Sequence, residues 1–349
     1  MTILDYLDMY GDKTFFDLEF NEIDNLILSQ LSYLPLGGIV PSLYEKGIVL
    51  EEACLKFSKK FSNSDINKMW FLVPKVAKLF KRLSVTNRYK DAILYGYLNI
   101  VDNNRQFGAL TIKLNDNSVY VSYEGTDDTL VGWKEDFEMA CNYPVPSQIL
   151  AYKYLNRVVR FSDKVVRVGG HSKGGNLAVC AVMKCSFLIR RKVVKIYNND
   201  GPGFLKELVM SNKYMRITSK IINYFPRQSI IGMLMYHNTD YKVIKSNGLG
   251  ILAHDVFNWQ INNNHLIEDK ISNKSKRLQK NLNVYLDRLS IGQRREIVES
   301  IFTIFEDNDI KFTNEIKFNK VFDMYKSLKD INRDVRKQIF ELLKIILIF

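Results

Sequence analysis

The chain has 349 residues, of which 46% are hydrophobic and 25% charged, a composition that is ordinary for a globular protein. Fifty basic residues against 38 acidic ones give a net charge of +12, which favours anionic partners in general. The basic residues are spread along the chain and no nucleic-acid-binding motif occurs, so we expect no nucleic-acid partner and at most weak contact with an anionic membrane surface.

Targeting segments and metal motifs are also missing from the sequence. No stretch of 18 apolar residues is present, so no transmembrane helix is expected. The N-terminal residues lack the basic and apolar regions of a signal peptide. The four cysteines form no CxxC pair and have no zinc-ligand spacing. We therefore expect a cytoplasmic protein with buried, reduced cysteines and with neither a metal nor a cofactor.

The first part of the chain is predicted to be helical. Asn21 is a candidate N-cap for IDNLILSQLSYL, whose apolar residues have helical spacing. The segments LEEACLKFSKKF and INKMWFLVPKVAKLFKRL follow with the same period. We expect residues 1–90 to form a helical segment that packs on the core of the protein.

Strands are predicted from residue 91 onward, at the start of a core that extends over 91–265. The segments ILYGYLNIVD, FGALTIKL and SVYVSYEG are rich in Tyr, Val and Ile and are separated by Asn and Asp residues. This pattern predicts an antiparallel meander.

Strands and helices then alternate. The pattern gives a helix at PSQILAYKYLNRVVRF, a strand at KVVRVGG, a helix at NLAVCAVMKCSFLIRRK, and strands at VVKIYNN, KIINYF and MLMYHNTDYKVIKS. Apolar strands without polar alternation, joined by helices, are typical of a parallel sheet covered on both faces. The predicted class is therefore α/β, with a mostly parallel central sheet.

The last part of the chain, residues 266–349, is predicted to be an all-helical extension. Ser290 begins a Ser-x-x-Gln capping signal before RREIVESIFTIF. The chain ends in the apolar segment KIILIF, which is expected to pack on a neighbouring helix. We expect this extension to form a cover or a partner-docking surface rather than a separate enzyme.

The most informative motif is Gly-His-Ser-Lys-Gly-Gly, which fits G-x-S-x-G and stands between an apolar strand and a helix. A serine at such a turn has a strained backbone, and Gly170 and Gly174 remove side chains that would clash there. The turn exposes the Ser172 hydroxyl and directs the backbone N–H of Lys173 toward a developing oxyanion. The sequence therefore predicts Ser172 as a nucleophile.

Two further segments, together with this motif, make the chain resemble the class 3 (fungal-type) lipases of the α/β-hydrolase superfamily. Tyr-Glu-Gly-Thr at 123–126, followed by Trp133 and Asp136, resembles the FRGT-plus-W-x-x-D segment of those lipases. His-Asp-Val-Phe-Asn-Trp at 254–259 resembles their H-x-x-x-Y-W segment. The resemblance covers about residues 20–265 and is strongest to a bacterial branch defined as a domain of unknown function.

The resemblance implies an α/β-hydrolase fold and a role for several residues. Thr126 would supply the second oxyanion-hole donor, beside Lys173, through its backbone N–H and its hydroxyl. Trp133 and Asp136 would brace the loop that carries it. His254 would be the general base.

Chain order supports His254 as the base, because the acid and then the histidine follow the serine in this fold. His237 lies inside a predicted strand and is the alternative base. His265 lies in an Asn-rich loop and is expected to be solvated. His171 is adjacent to the nucleophile and points away from it, so we expect it to hold neighbouring loops through hydrogen bonds.

The acid of the triad departs from the resemblance, because Ser229 occupies the place where the resemblance puts an aspartate. Asp200 directly follows the strand VVKIYNN, and parallel strands carry functional residues at their C-terminal ends. We therefore predict Asp200 as the acid. The other interpretation of Asp200 is a turn residue in Asp-Gly-Pro-Gly. Asp240 is the alternative acid.

These features predict a serine hydrolase that cleaves a small or lipid-like carboxylic ester through an acyl-enzyme on Ser172. Thioester cleavage or acyl transfer would use the same residues. A third hypothesis is a non-catalytic binding or regulatory protein on a hydrolase scaffold, since Ser229 replaces the acid and Glu124 stands where the lipases have arginine.

Overall fold

One eight-stranded sheet organises the protein, and the strands lie side by side in chain order. The computed structural model describes residues 1–42, 46–315 and 318–347. The strands are β1 (Ile48–Val49), β2 (Ile93–Asp102), β3 (Arg105–Lys113), β4 (Val119–Tyr123), β5 (Val166–His171), β6 (Val193–Asn199), β7 (Ile221–Pro226) and β8 (Tyr241–Ile244), and a separate hairpin pairs β9 (Ile261–Asn262) with β10 (His265–Leu266). The pairs from β1 to β4 are antiparallel and those from β4 to β8 are parallel, so the predicted meander and parallel sheet are confirmed.

Helices precede, connect and follow the strands. They are α1 (Ile3–Tyr10), α2 (Glu22–Gln30), α3 (Leu50–Lys60), α4 (Asn63–Lys68), α5 (Val73–Leu83), α6 (Leu130–Glu138), α7 (Pro146–Val158), α8 (Lys173–Lys184), α9 (Phe187–Lys192), α10 (Lys206–Val209), α11 (Asn212–Met215), α12 (Asn273–Asp287), α13 (Ile291–Asp307), α14 (Phe318–Asp330) and α15 (Arg333–Leu347). The predicted N-cap of α2 at Asn21 and the capping box of α13 at Ser290 are both confirmed.

Both faces of the sheet are covered, as the sequence predicts for parallel strands. Successive residues of a strand point to opposite faces. Accordingly Tyr120 packs in the core beneath the N-terminal helices, whereas Val119 and Val121 pack in the core formed with α7 and α8. Helix α2 lies against β4 and β5 on the first face. These two buried layers give the protein an α/β-hydrolase fold, which confirms the predicted fold class.

A buried ion pair fixes the N-terminal helices. The Asp24 carboxylate accepts hydrogen bonds from Arg88 Nε at 2.7 Å and Nη2 at 2.6 Å, and both side chains are inaccessible to solvent. The Tyr89 hydroxyl donates to the same carboxylate at 2.5 Å. Because removing one partner of such a pair leaves an uncompensated buried charge, this contact holds α2 firmly to the segment that leads into β2.

Three predicted elements differ from the structure. INKMWFLVPKVAKLFKRL forms two helices, because Pro74 has no N–H to donate to a preceding turn and stands in the first turn of α5. NLAVCAVMKCSFLIRRK is also divided, and Ser186 caps the second helix. The last predicted strand shrinks to β8, because Met235 has a φ of 61°, which a β-strand does not accommodate.

The C-terminal helices pack on the core through α6. Phe302 and Val298 of α13 lie in one apolar cluster with Leu130 and Cys141. In KIILIF, Ile345 packs on a cluster around Tyr285, and the last two residues lie outside the described part of the chain. All four cysteines are buried and unpaired. Within the described residues, no helix has the length and apolar character needed to cross a membrane.

Candidate active site

The turn between β5 and α8 has the strained geometry that the G-x-S-x-G motif predicts. Ser172 has a φ of 57° and a ψ of −133°, a conformation that costs energy for any residue except glycine. Its N–H donates to the Asn199 carbonyl at 2.9 Å, and its carbonyl accepts from the Gly175 N–H at 2.9 Å. The surrounding hydrogen bonds therefore hold Ser172 in a sharp bend at the C-terminal end of β5.

The two glycines of the motif are required by close backbone contacts. A Cβ atom on Gly170 would lie 2.4 Å from the Gly174 carbonyl carbon, and one on Gly174 would lie 2.1 Å from the Tyr123 carbonyl oxygen. Both distances are far inside van der Waals contact. The prediction that these glycines remove clashing side chains is confirmed.

Asp200 and His254 meet next to this turn, although 54 residues separate them in the chain. His254 Nδ1 lies 2.7 Å from Asp200 Oδ2. Asp200 directly follows β6, is inaccessible to solvent and has a φ of 51°. Since β5 and β6 are parallel neighbours, their C-terminal ends place Asp200 beside Ser172.

The second oxygen of Asp200 is also fully engaged. Asp200 Oδ1 accepts a hydrogen bond from the Ser229 hydroxyl at 2.5 Å and another from the Gly232 N–H at 3.1 Å. The resemblance puts the acid at the position of Ser229. Here Ser229 contacts Asp200, the carboxylate that follows the preceding strand. Together with His254, these donors fix the orientation of the Asp200 carboxylate.

The His254 side chain contacts His171, the residue before the serine, as well as Asp200. The rings of His254 and His171 lie 4.3 Å apart between centroids, tilted by 36°. His171 Nε2 lies 2.8 Å from the His254 carbonyl oxygen. Within the described residues, no hydrogen bond joins the Ser172 hydroxyl to the His254 ring. Such contacts are commonly long before a substrate binds.

The loop after β4 lies on the other side of the serine. The Thr126 hydroxyl donates to Asp136 Oδ2, so this hydroxyl is already engaged. The Lys173 N–H is the first of α8 and has no intrahelical acceptor. Trp133, which the resemblance places as a brace, is instead 41% exposed.

The Lys173 side chain has a contact that the motif does not reveal. It is buried, and its Nζ lies 2.5 Å from Glu135 Oε2 and 2.9 Å from the Gln106 carbonyl oxygen. The Gln106 side chain donates in turn to the Gly125 carbonyl at 3.1 Å. Lys173 therefore connects the first turn of α8 to the loop that carries Thr126. Sequence reasoning missed this connection because its partners are distant in the chain.

Two further carboxyl groups line the same loop. Burial raises the pKa of Glu124 well above its usual value, an effect that Asp127 increases and Lys173 opposes. Burial likewise raises the pKa of Asp136 to about 6, against the opposing effects of Lys173 and Thr126. Among the described residues, Glu124 Oε2 and Asp136 Oδ1 are buried without a hydrogen-bond partner.

The alternative site residues lie elsewhere. His237 belongs to the loop before β8, so its predicted strand position is wrong; its Nε2 lies 2.8 Å from the Gly232 carbonyl oxygen. Burial lowers the pKa of His237 to about 4. Asp240 is exposed at the start of β8, and His265 is 73% exposed near Glu22.

A cavity of about 530 Å³ opens beside the turn between β2 and β3. Its lining includes Glu135 but not Ser172, Asp200 or His254. The cavity therefore adjoins the Lys173 contact rather than the serine.

Replacing Glu135 with glutamine should destabilise the protein by about 3–5 kcal/mol, because the Lys173 ammonium would be left buried without its counter-charge. The measurement is the free energy of unfolding in denaturant. Lys134→Ala, in the same helix and partly exposed, is the control and should change little. Equal stability of the two variants would show that the pair contributes nothing.

Asp136 should make stability depend on pH between about 4 and 6. Its pKa is raised in the folded protein, so the folded state binds the proton more tightly and its stability falls as pH rises through this window. From pH 4 to pH 7, the free energy of unfolding of Asp136→Asn should therefore increase relative to that of the wild type. A difference that stays constant with pH would contradict the assignment.

Comparisons with known proteins give a family match and a distant structural similarity. The crystal structure of M37 lipase is similar, with a TM-score of 0.33 and 14% sequence identity over 52% of this chain and 69% of that chain. A search of curated proteins gives no match. The Mbeg1-like family model matches residues 83–303, more than half of the chain. The chain therefore belongs to the Mbeg1-like family.

Proposed function

We propose that the protein is a serine hydrolase that cleaves a carboxylic ester or a lipid-like acyl substrate. The observation that carries the proposal is the 2.7 Å contact between His254 Nδ1 and the buried Asp200 carboxylate, beside the strained turn of Ser172. A nucleophile turn and an oriented histidine on an α/β-hydrolase sheet are the parts that acyl transfer requires.

The proposed reaction begins with proton transfer. Because Nδ1 donates to Asp200, the neutral His254 ring carries its lone pair on Nε2, which is the form that accepts a proton from Ser172. The serine oxygen attacks the acyl carbonyl as the proton leaves. Asp200 then stabilises the imidazolium. The hydroxyl of Ser229 would stabilise this ion less, because it is neutral.

Backbone donors complete the proposed mechanism. The backbone N–H groups of Lys173 and Thr126 donate hydrogen bonds to the carbonyl oxygen and stabilise its negative charge. His254 returns its proton to the leaving alcohol, and an acyl-enzyme forms on Ser172. Water, deprotonated by the same histidine, then attacks the acyl-enzyme. His254 returns this proton to the Ser172 oxygen as the acid leaves, which restores the free enzyme.

Replacing Ser172 with alanine should abolish hydrolysis of activated esters, lowering kcat by at least about a thousandfold. An alkyl fluorophosphonate should label the wild type at Ser172 and leave the variant unlabelled. Ser186→Ala, at the exposed N-terminus of α9, is the matched control and should retain full activity.

Unchanged ester hydrolysis in Ser172→Ala would exclude the mechanism. A folded wild-type protein that resists the fluorophosphonate would instead favour a binding or regulatory role on this scaffold. Comparison of oxygen esters with thioesters, and of water with alcohol acceptors, separates the esterase from a thioesterase or acyltransferase.

Asp200→Asn should lower kcat by about 10³–10⁴-fold, because an amide neither fixes the required His254 tautomer nor stabilises the imidazolium. Asp240→Asn, at an exposed position before β8, should have little effect. Melting temperatures of both variants show whether any loss is due to unfolding. If Asp240→Asn were the inactive variant, the acid would have to be reassigned.

A further inference from the structure

Tyr33 reaches the candidate active site from the N-terminal helices. It ends a 3₁₀ turn that follows α2, and its side chain is 5% exposed. Its hydroxyl oxygen lies 3.3 Å from His171 Nδ1 and 3.3 Å from the His171 carbonyl oxygen. The Trp70 ring packs on the Tyr33 ring at 5.7 Å between centroids. The tyrosine is therefore held from its far side while its hydroxyl contacts the end of β5.

The same hydroxyl contacts the loop that carries the proposed oxyanion donor. A Cβ atom on Gly125 would lie 2.1 Å from Tyr33 Oη and 2.6 Å from the His171 carbonyl oxygen. Only a glycine therefore lets this backbone approach the hydroxyl. Burial raises the pKa of Tyr33 well above its usual value, and the Gly125 N–H opposes that rise.

His171 continues the connection to His254. A carbonyl oxygen only accepts hydrogen bonds, so the 2.8 Å contact with the His254 carbonyl places a proton on His171 Nε2. Burial and the neighbouring His254 lower the pKa of His171 well below its usual value, so the ring is neutral. Its Nδ1 is then an acceptor, and the Tyr33 hydroxyl is the donor that faces it.

Three separate loops are thereby joined through one tyrosine and one histidine: the loop at Gly125, the end of β5 and the segment at His254. None of these hydrogen bonds involves an atom that would react. We propose that Tyr33 and His171 are positioning residues that set the backbone of His254 and the oxyanion loop relative to Ser172. This inference rests on the proposed serine hydrolase function.

The rate at which an alkyl fluorophosphonate labels Ser172 tests the inference, because the adduct requires both the base and the oxyanion donors. Tyr33→Phe keeps the ring and removes the hydroxyl, and should slow labelling by about ten- to hundredfold. Hydrolysis of an activated ester should show the loss in kcat, with little change in KM. Tyr154→Phe is the matched control: it removes a buried hydroxyl that bonds to Thr111 and Gly96 on the opposite side of the sheet.

Variants of His171 test whether the two residues act as a unit. His171→Leu should slow labelling at least as much as Tyr33→Phe. His171→Gln, which keeps an N–H donor for the His254 carbonyl, should recover part of the rate. The double variant Tyr33→Phe/His171→Leu should lose less than the product of the two single effects, whereas independent effects would multiply.

The outcomes separate the inference from the proposed function. A folded wild type that is not labelled refutes the serine hydrolase. A labelled wild type with Tyr33→Phe and Tyr154→Phe reacting at equal rates refutes the positioning role alone. Multiplying effects in the double variant also refute it. If His171→Leu does not fold, Tyr33→Phe and His171→Gln still decide the question.

Discussion

The contact between Asp200 and His254 determines how the rest of the candidate site is arranged. A carboxylate that is inaccessible to solvent requires donors on its oxygens, and here Ser229, Gly232 and His254 provide them. Ser229 and Gly232 belong to the loop between β7 and β8, and His254 belongs to the segment after β8. Burying one carboxylate at the end of β6 therefore fixes the loops after β7 and β8 as well, and brings His254 beside the serine turn.

The sequence predicts the parts of this arrangement whose signals are local. Strands β2 and β6 follow directly from their runs of β-branched and aromatic residues, and the serine turn follows from its glycines. The position of Asp200 follows from the rule that parallel strands end at one edge. The contacts of Lys173 with Glu135 and of Tyr33 with His171 do not, because 38 and 138 residues separate the partners and no periodic pattern connects them.

The helical segments at both ends of the chain reach the same loops from different sides. Tyr33 approaches Gly125 from the N-terminal helices. From the C-terminal extension, the Lys311 carbonyl accepts from the Leu130 N–H at 2.9 Å, and the Thr313 N–H donates to the Asp128 carbonyl at 2.9 Å. Both segments thus restrain the backbone on either side of Thr126. The extension therefore contacts the loop directly on the C-terminal side of Thr126.

Three carboxyl groups near Thr126 differ in how their negative charge is balanced. Lys173 neutralises Glu135 directly. Burial raises the pKa of Glu124 well above its usual value, which favours the protonated form of that side chain. The pKa of Asp136 is raised to about 6, and its Oδ2 accepts a hydrogen bond from the Thr126 hydroxyl. The buried Lys173 ammonium lowers the pKa of both Glu124 and Asp136, so its positive charge partly offsets these carboxyl groups beside the serine turn.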